Sequence, residues 1–282
     1  MDKEIGLRII AEGLGVQTVT LYLLSSLGII PRADYAIFAD PGAEKDETYR
    51  YLEYLDKWRQ DNNGIPLIHS IMRSTIKKDL LSGTNSTGQR FASIPAFTSN
   101  PDGTKGMLRR QCTFEYKISV VDKEIRKLYG LKKYERLKKT EIWMGITLDE
   151  IERAKSGINP KEKWKLKIYP FLNIGGEFFD KAWTRSDCRQ WLIENNFPIP
   201  PKSACVFCPF QGDNQWVELK TSSPTDFDEA VYIDKAIRDS SKKGAANPIY
   251  LHGSCKPLDQ VDFNEGQGNL FINGCEEGYC GL

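Results

Sequence analysis

Apolar residues along this chain follow two alternating patterns, short unbroken runs and longer stretches with an apolar position every three or four residues. Residues 7–10 form the first run, which feeds into Glu12-Gly13-Leu14-Gly15-Val16-Gln17-Thr18 ahead of a helical stretch at 19–27. The order is strand, tight turn, helix. Residues 35–40 read as a second buried strand ending in Asp40-Pro41-Gly42, residues 47–61 have helical spacing, and 65–70 fit a third strand. Strands alternating with helices predict a parallel twisted sheet flanked by helices, with ligand sites beyond the carboxyl ends of the strands. The first turn and Asp40 both fall at that edge.

Residues 82–106 are rich in Gly, Ser, Thr and Asn, which predicts a long loop over the same edge, a candidate lid. Residues 120–139 read as helix interrupted near Gly130, and 140–146 as strand. Thr147-Leu148-Asp149-Glu150 opens a helix with a Thr N-cap and early acids. An extended piece is expected at 168–172, and a helix at 184–195, capped by Thr184 or Ser186 and stopped ahead of Pro198, Pro200 and Pro201. Residues 215–219 and 227–240 look helical. The remainder is Gly-rich, polar and weakly periodic, and no internal repeat is visible.

The length of 282 residues suits one α/β domain over 1–200 with a cysteine-containing C-terminal segment, 201–282, packed on it. With 40% hydrophobic residues and a formal charge of +1, the chain can bury a core and carries no bulk field that announces nucleic acid or membrane. The local exception is 122–139, with eight basic residues against three acidic ones, which reads either as a solvated helix or as a nucleic-acid contact. No run approaches the roughly 18 apolar residues of a spanning helix. Residues 1–4 are charged, without the apolar run of a signal peptide, so a cytoplasmic protein with no membrane partner is expected. Oligomeric state is left open, with a homodimer as one candidate.

Seven cysteines cannot all pair within the chain, and Cys205-Val206-Phe207-Cys208 favours metal or redox chemistry over a disulfide framework. A two-residue gap lets a tight turn aim both thiolates at one metal; a redox dithiol or two buried thiols fit it as well. Completing a Zn or iron–sulfur centre needs two further ligands from Cys112, Cys188, Cys255, Cys275 and Cys280. Cys188, beside Trp191 and Leu192 on an amphipathic helix, is equally a core residue. The Gly13–Thr18 turn can offer backbone N–H groups and the Thr18 hydroxyl to a phosphate, or can be a plain strand-to-helix connection. Asp40 can accept from a ribose, an adenine amine or loop amides. Arg109, Arg110 and Lys117 surround Cys112 with positive charge suited to phosphate or sulfate, or form a solvated basic loop. Cys275 and Cys280 sit among small residues, as a swinging nucleophile or a frayed end would. His69 and His252 read as structural.

In their order, these pieces resemble the phosphoadenosine phosphosulfate reductase family of the adenine-nucleotide alpha-hydrolase (PP-loop) superfamily, in particular reductase-like proteins of phages and mobile elements. The resemblance rests on the Gly13–Thr18 loop, Phe38-Ala39-Asp40-Pro41-Gly42, Leu108-Arg109-Arg110-Gln111-Cys112-Thr113 with Lys117, Trp143-Met144-Gly145-Ile146, Ser203-Ala204-Cys205-Val206-Phe207-Cys208-Pro209 and Cys280-Gly281-Leu282. It implies a Rossmann-like parallel sheet of five or more strands. It also implies a nucleotide, ATP or adenylylsulfate or its 3'-phosphorylated form, with phosphates on Gly13, Gly15, Gln17 and Thr18, adenosine near Asp40, and Arg109, Arg110, Lys117 and Gly145 around it. By the same resemblance Cys112, Cys205 and Cys208 match ligands of a [4Fe-4S] cluster, with Zn as the alternative, and Cys280 matches the nucleophile. Cys188 is our choice for the fourth ligand, with Cys275 second for that place and a further catalytic thiol. The family's Ser-Gly-Gly-Lys-Asp-Ser loop is replaced here, so phosphate contacts fall to backbone and Thr18.

The leading expectation is an enzyme that binds ATP, adenylates an acceptor with loss of pyrophosphate, and transfers sulfur through a cluster or the Cys280 thiol, with a nucleobase or nucleic-acid backbone as candidate acceptor and a sulfur donor or thiol reductant as co-substrate. The first rival is reduction of adenylylsulfate or its 3'-phosphorylated form. The second is a nucleotide- or nucleic-acid-binding module with structural Zn.

Overall fold

The computed structural model describes residues 5–72, 74–87, 94–132, 134–154, 163–239 and 247–263. Five strands, β1 (Arg8–Glu12), β2 (Tyr35–Asp40), β3 (Leu67–Ile71), β6 (Thr140–Trp143) and β7 (Lys165–Ile168), form a sheet in the order β3-β2-β1-β6-β7. Every pairing is parallel, with Ile10 opposite Ala36 and Trp143, and Asp40 opposite Ile71. Successive side chains of a strand point to opposite faces. Ile10, Ala36, Phe38, Trp143 and Ile168 therefore join one core, packed under α1 (Val16–Ser26), α2 (Asp46–Asp61) and α5 (Arg185–Glu194). Ile9, Ala11, Ile37, Ala39 and Ile142 join another, under α4 (Ser119–Leu128). A strand buried on both faces has no polar alternation, which is why these segments read as unbroken apolar runs.

A third core gathers α3 (Ile76–Ser82), α6 (Asp213–Ser222), α7 (Pro224–Ile237) and a small antiparallel sheet of β5 (Lys105–Met107), β4 (Phe97–Ser99) and β8 (Ile249–Tyr250). The CxxC region belongs to it: Val206 and Phe207 are buried there, Val206 N donates to the Ala43 carbonyl at 2.9 Å, and Cys205 pairs with Glu44 in an antiparallel bridge. The segment after residue 200 is thus stitched to the loop that leaves β2.

Several expectations change. The predicted loop at 82–106 contains the β4–β5 hairpin, closed by a turn in which Gly103 adopts φ +82° and donates to the Asn100 carbonyl at 2.9 Å. Three-residue strands carry too few side chains to show an alternation, and the pairing with β8 comes from far along the chain. The helix expected over 120–139 ends at Leu128, where Gly130 turns the chain out at φ +66°; at its other end it continues from a single wide turn at Phe114–Ile118. Thr147 does not cap an α-helix: Leu148–Arg153 is a pair of tight 3₁₀ turns, and the Thr147 hydroxyl donates to Asp149 at 3.3 Å instead. The piece at 168–172 is the end of β7 followed by a 3₁₀ turn at Pro170–Leu172. Thr184, rather than Ser186, caps α5, in a reciprocal capping box with Asp187. Among the described residues no helix is long and apolar enough to cross a membrane.

Candidate functional site

The chain leaves β1 toward β2 on one side and returns at β6 on the other, so a crevice opens beyond the carboxyl ends of β1 and β6. It encloses about 470 Å³, mouth included, and Glu12, Gly13, Thr18, Phe38, Lys117, Gly145 and Arg153 line it. The floor is the turn from β1 into α1. Leu14 takes the left-handed conformation at φ +56°, and its N–H donates to Glu12 Oε1 at 2.7 Å. The Thr18 hydroxyl donates to the same oxygen at 2.5 Å and accepts from Gly13 N at 3.2 Å. Gly15 is the N-cap, no side chain caps the helix and its first turn carries no acid, so Glu12, on the turn just before it, is the carboxyl nearest the positive end of α1. Gly145 allows the loop after β6 to press on that turn: a Cβ there would lie 2.8 Å from Thr18 Cγ2 and 2.9 Å from Thr18 N.

Glu12 was not among the residues singled out from the sequence. It is 3% exposed, and burial raises its carboxyl to about 7 despite the hydrogen bonds from Thr18, Leu14 and Gly13 that oppose the shift. Its second oxygen, Oε2, is buried without a hydrogen-bond partner among the described residues. A charged residue ending an apolar strand just before a Gly turn was the available signal. Arg153 also lines the crevice and pairs with buried Glu150 at 2.5 Å.

Of the sequence-selected residues, Gly13, Thr18, Lys117 and Gly145 line the crevice, whereas Gly15, the N-cap of α1, and Gln17, in its first turn, do not. Asp40 is buried with both oxygens engaged: Oδ1 accepts from Gly42 N at 2.6 Å and the Tyr49 hydroxyl at 3.0 Å, and Oδ2 lies 2.7 Å from His69 Nε2. Of the three readings open for Asp40, the contacts match the loop-amide one. His69 in turn stacks on Phe38, with ring centroids 5.5 Å apart.

A second pocket, about 500 Å³ with its mouth, adjoins the crevice, and Lys117 belongs to both walls. Cys112, Cys205 and Cys208 line it together, with Arg110 and a largely apolar surround that includes Tyr116, Phe207 and Phe210. The CxxC turn is closed by Cys208 N donating to the Cys205 carbonyl at 3.0 Å. Arg110 places its guanidinium 5.4 Å from the centre of the Phe210 ring. Lys117 Nζ reaches Glu44 Oε1 at 3.4 Å, and the Ser203 hydroxyl donates to Glu44 Oε2 at 3.0 Å; the Glu44 side chain is wholly buried. Arg109 is exposed and lines neither pocket.

Cys188 is not brought to the other three. It is fully buried between α5 and α1, its carbonyl accepts from the Thr20 hydroxyl at 3.4 Å, and burial pushes its thiol well up, so the core reading describes it and its assignment as a fourth ligand is dropped. Cys275 and Cys280 lie outside the described residues. Among those residues no group of three or more His, Cys, Asp or Glu side chains is arranged to hold a metal. No family model matches the chain, and no curated protein does.

Proposed function

We propose that this chain is an ATP-dependent sulfurtransferase: it binds ATP in the switch-point crevice, adenylates an acceptor, and transfers sulfur from the adjoining cysteine pocket. One observation carries the reading. The crevice at the amino end of α1 and the pocket of Cys112, Cys205 and Cys208 share Lys117, so an activated acceptor and a sulfur nucleophile can meet across a single side chain.

In this reading the phosphates lie against the backbone of Gly13 and the Thr18 hydroxyl, at the positive end of α1. Arg153 and Lys117 face the negative charge that grows on the α phosphate and the leaving pyrophosphate. The acceptor oxygen attacks the α phosphorus and the bond to pyrophosphate breaks, leaving an acceptor–AMP ester. A hydropersulfide, loaded on a pocket cysteine by an external sulfur donor, then forms the carbon–sulfur bond, and AMP departs with the oxygen. A neighbouring thiolate attacks the remaining sulfur–sulfur bond, releases the thiolated acceptor and forms a disulfide, which an external thiol reduces. The largely apolar, aromatic pocket suits a planar acceptor such as a nucleobase.

The test is to incubate the protein anaerobically with ATP, then with adenylylsulfate and its 3'-phosphorylated form, following pyrophosphate, AMP and sulfite. Pyrophosphate release that depends on an added nucleic-acid acceptor, followed by AMP release that depends on a persulfide donor, supports the reading. Sulfite release without ATP consumption refutes it in favour of sulfonucleotide reduction. Tight nucleotide binding with no turnover under any condition, together with stoichiometric Zn, favours a binding module.

A further inference from the structure

A buried carboxylate on the floor of a crevice meant for phosphates is a contradiction unless something lies between them. Glu12 ends β1, lines the crevice and sits at the amino end of α1, where the proposed function puts a polyanion. Its Oε1 is fully used by Leu14 N and the Thr18 hydroxyl, so those two contacts fix the side chain in place. Its Oε2 has none among the described residues. The two cations of the crevice do not supply one, because Lys117 is paired with Glu44 and Arg153 with Glu150. An ionised carboxylate and a phosphate side by side in a site of low dielectric repel each other strongly.

We propose that Glu12 Oε2 is the protein ligand of a divalent cation, Mg²⁺ or a similarly hard ion, carried on the phosphates of the nucleotide. The inference rests on the nucleotide reading above and adds a residue and an ion to it. Mg²⁺ takes oxygen ligands, keeps several waters and is commonly held by one or two carboxylates together with substrate phosphates. A single buried carboxylate beside a phosphate site has that donor set. The cation satisfies the unpartnered oxygen and neutralises the repulsion at once. Metal-free ATP should then meet an uncompensated negative charge, and metal-loaded ATP should not.

The experiment measures ATP affinity of the full chain by calorimetry at about pH 8, above the value near 7 to which burial raises Glu12, with MgCl₂ and with excess chelator, in the wild type and in Glu12→Gln, whose folding is checked by melting. The wild type is expected to lose at least about tenfold in affinity in chelator. Glu12→Gln should lose the preference for metal and bind metal-free ATP more tightly than the wild type does. Mn²⁺ in place of Mg²⁺ should give an immobilised electron-spin-resonance signal on the wild type only when ATP is present. ATP binding to the wild type with equal affinity in both conditions overturns the cation site while leaving the nucleotide reading intact. An unchanged metal preference in Glu12→Gln overturns Glu12 as the ligand. No ATP binding in either condition overturns the nucleotide reading and the inference with it. The wild-type comparison needs no variant, so it can overturn the cation site even if Glu12→Gln fails to fold.

Discussion

Glu12 makes the stability of the ligand-free protein fall as pH rises. In the unfolded chain its carboxyl titrates near 4.5; in the fold, burial raises it to about 7. Between those values the folded state holds a proton that the unfolded state has released, so the native state binds more protons and each pH unit costs stability. Below the unfolded value the contribution is fully present; above the folded value both states are ionised and the loss is complete. A shift from 4.5 to about 7 corresponds to about 3 kcal/mol at 1.36 kcal/mol per unit. Glu12→Gln removes this titration and keeps an oxygen for Leu14 N and Thr18. Its absolute stability also reflects the amide that replaces Oε2, but its pH slope does not. The assay is urea unfolding of both proteins in chelator, every half unit across this window, with the difference between them plotted against pH. Glu12→Gln should gain about 3 kcal/mol relative to the wild type from the acidic to the basic end. A flat difference curve would mean that Glu12 is solvated in the fold and that its burial is wrong.

Gly145→Ala places a methyl against the Thr18 backbone; overpacking of this kind typically costs about 1–3 kcal/mol, and calorimetry should show weaker ATP binding alongside a lower melting temperature. Lys117→Met breaks the ion pair with the buried Glu44 carboxylate, a loss that typically costs about 3–5 kcal/mol; the double variant Lys117→Met/Glu44→Gln should recover much of that in urea unfolding, and failure to recover would show that the pair is not coupled. In the native protein Cys112, Cys205 and Cys208 should react with an aromatic disulfide reagent well before Cys188, which should be protected until unfolding; peptide mapping of early-labelled protein reads this directly. Asp40→Ala strands the Gly42 amide and His69, and should lower the melting temperature more than it lowers ATP affinity.

The parallel sheet was legible because its strands are buried on both faces and so advertise themselves as apolar runs; residues 35–40 were read to the residue. The Thr184 cap was legible for a similar reason, since a cap is local chemistry. The β4–β5–β8 sheet was not, because two of its strands have three residues, the third has two, and its key pairing joins residues near 98 to residues near 249. The gathering of Cys112 with Cys205 and Cys208 was expected from motif order, but Lys117 as a shared wall was not, because sequence spacing carries no information about which side of a side chain faces which cavity. Cys188 and Glu12 mark the boundary most sharply. Each sits in a segment whose secondary structure the sequence determined, yet whether the thiol is a ligand or a core residue, and whether the carboxylate is solvated or buried with one oxygen unmet, depends on what packs against it from distant parts of the chain. Local pattern determines the element; burial and partner, and therefore charge state and chemistry, are set by contacts that exist only once the elements have packed.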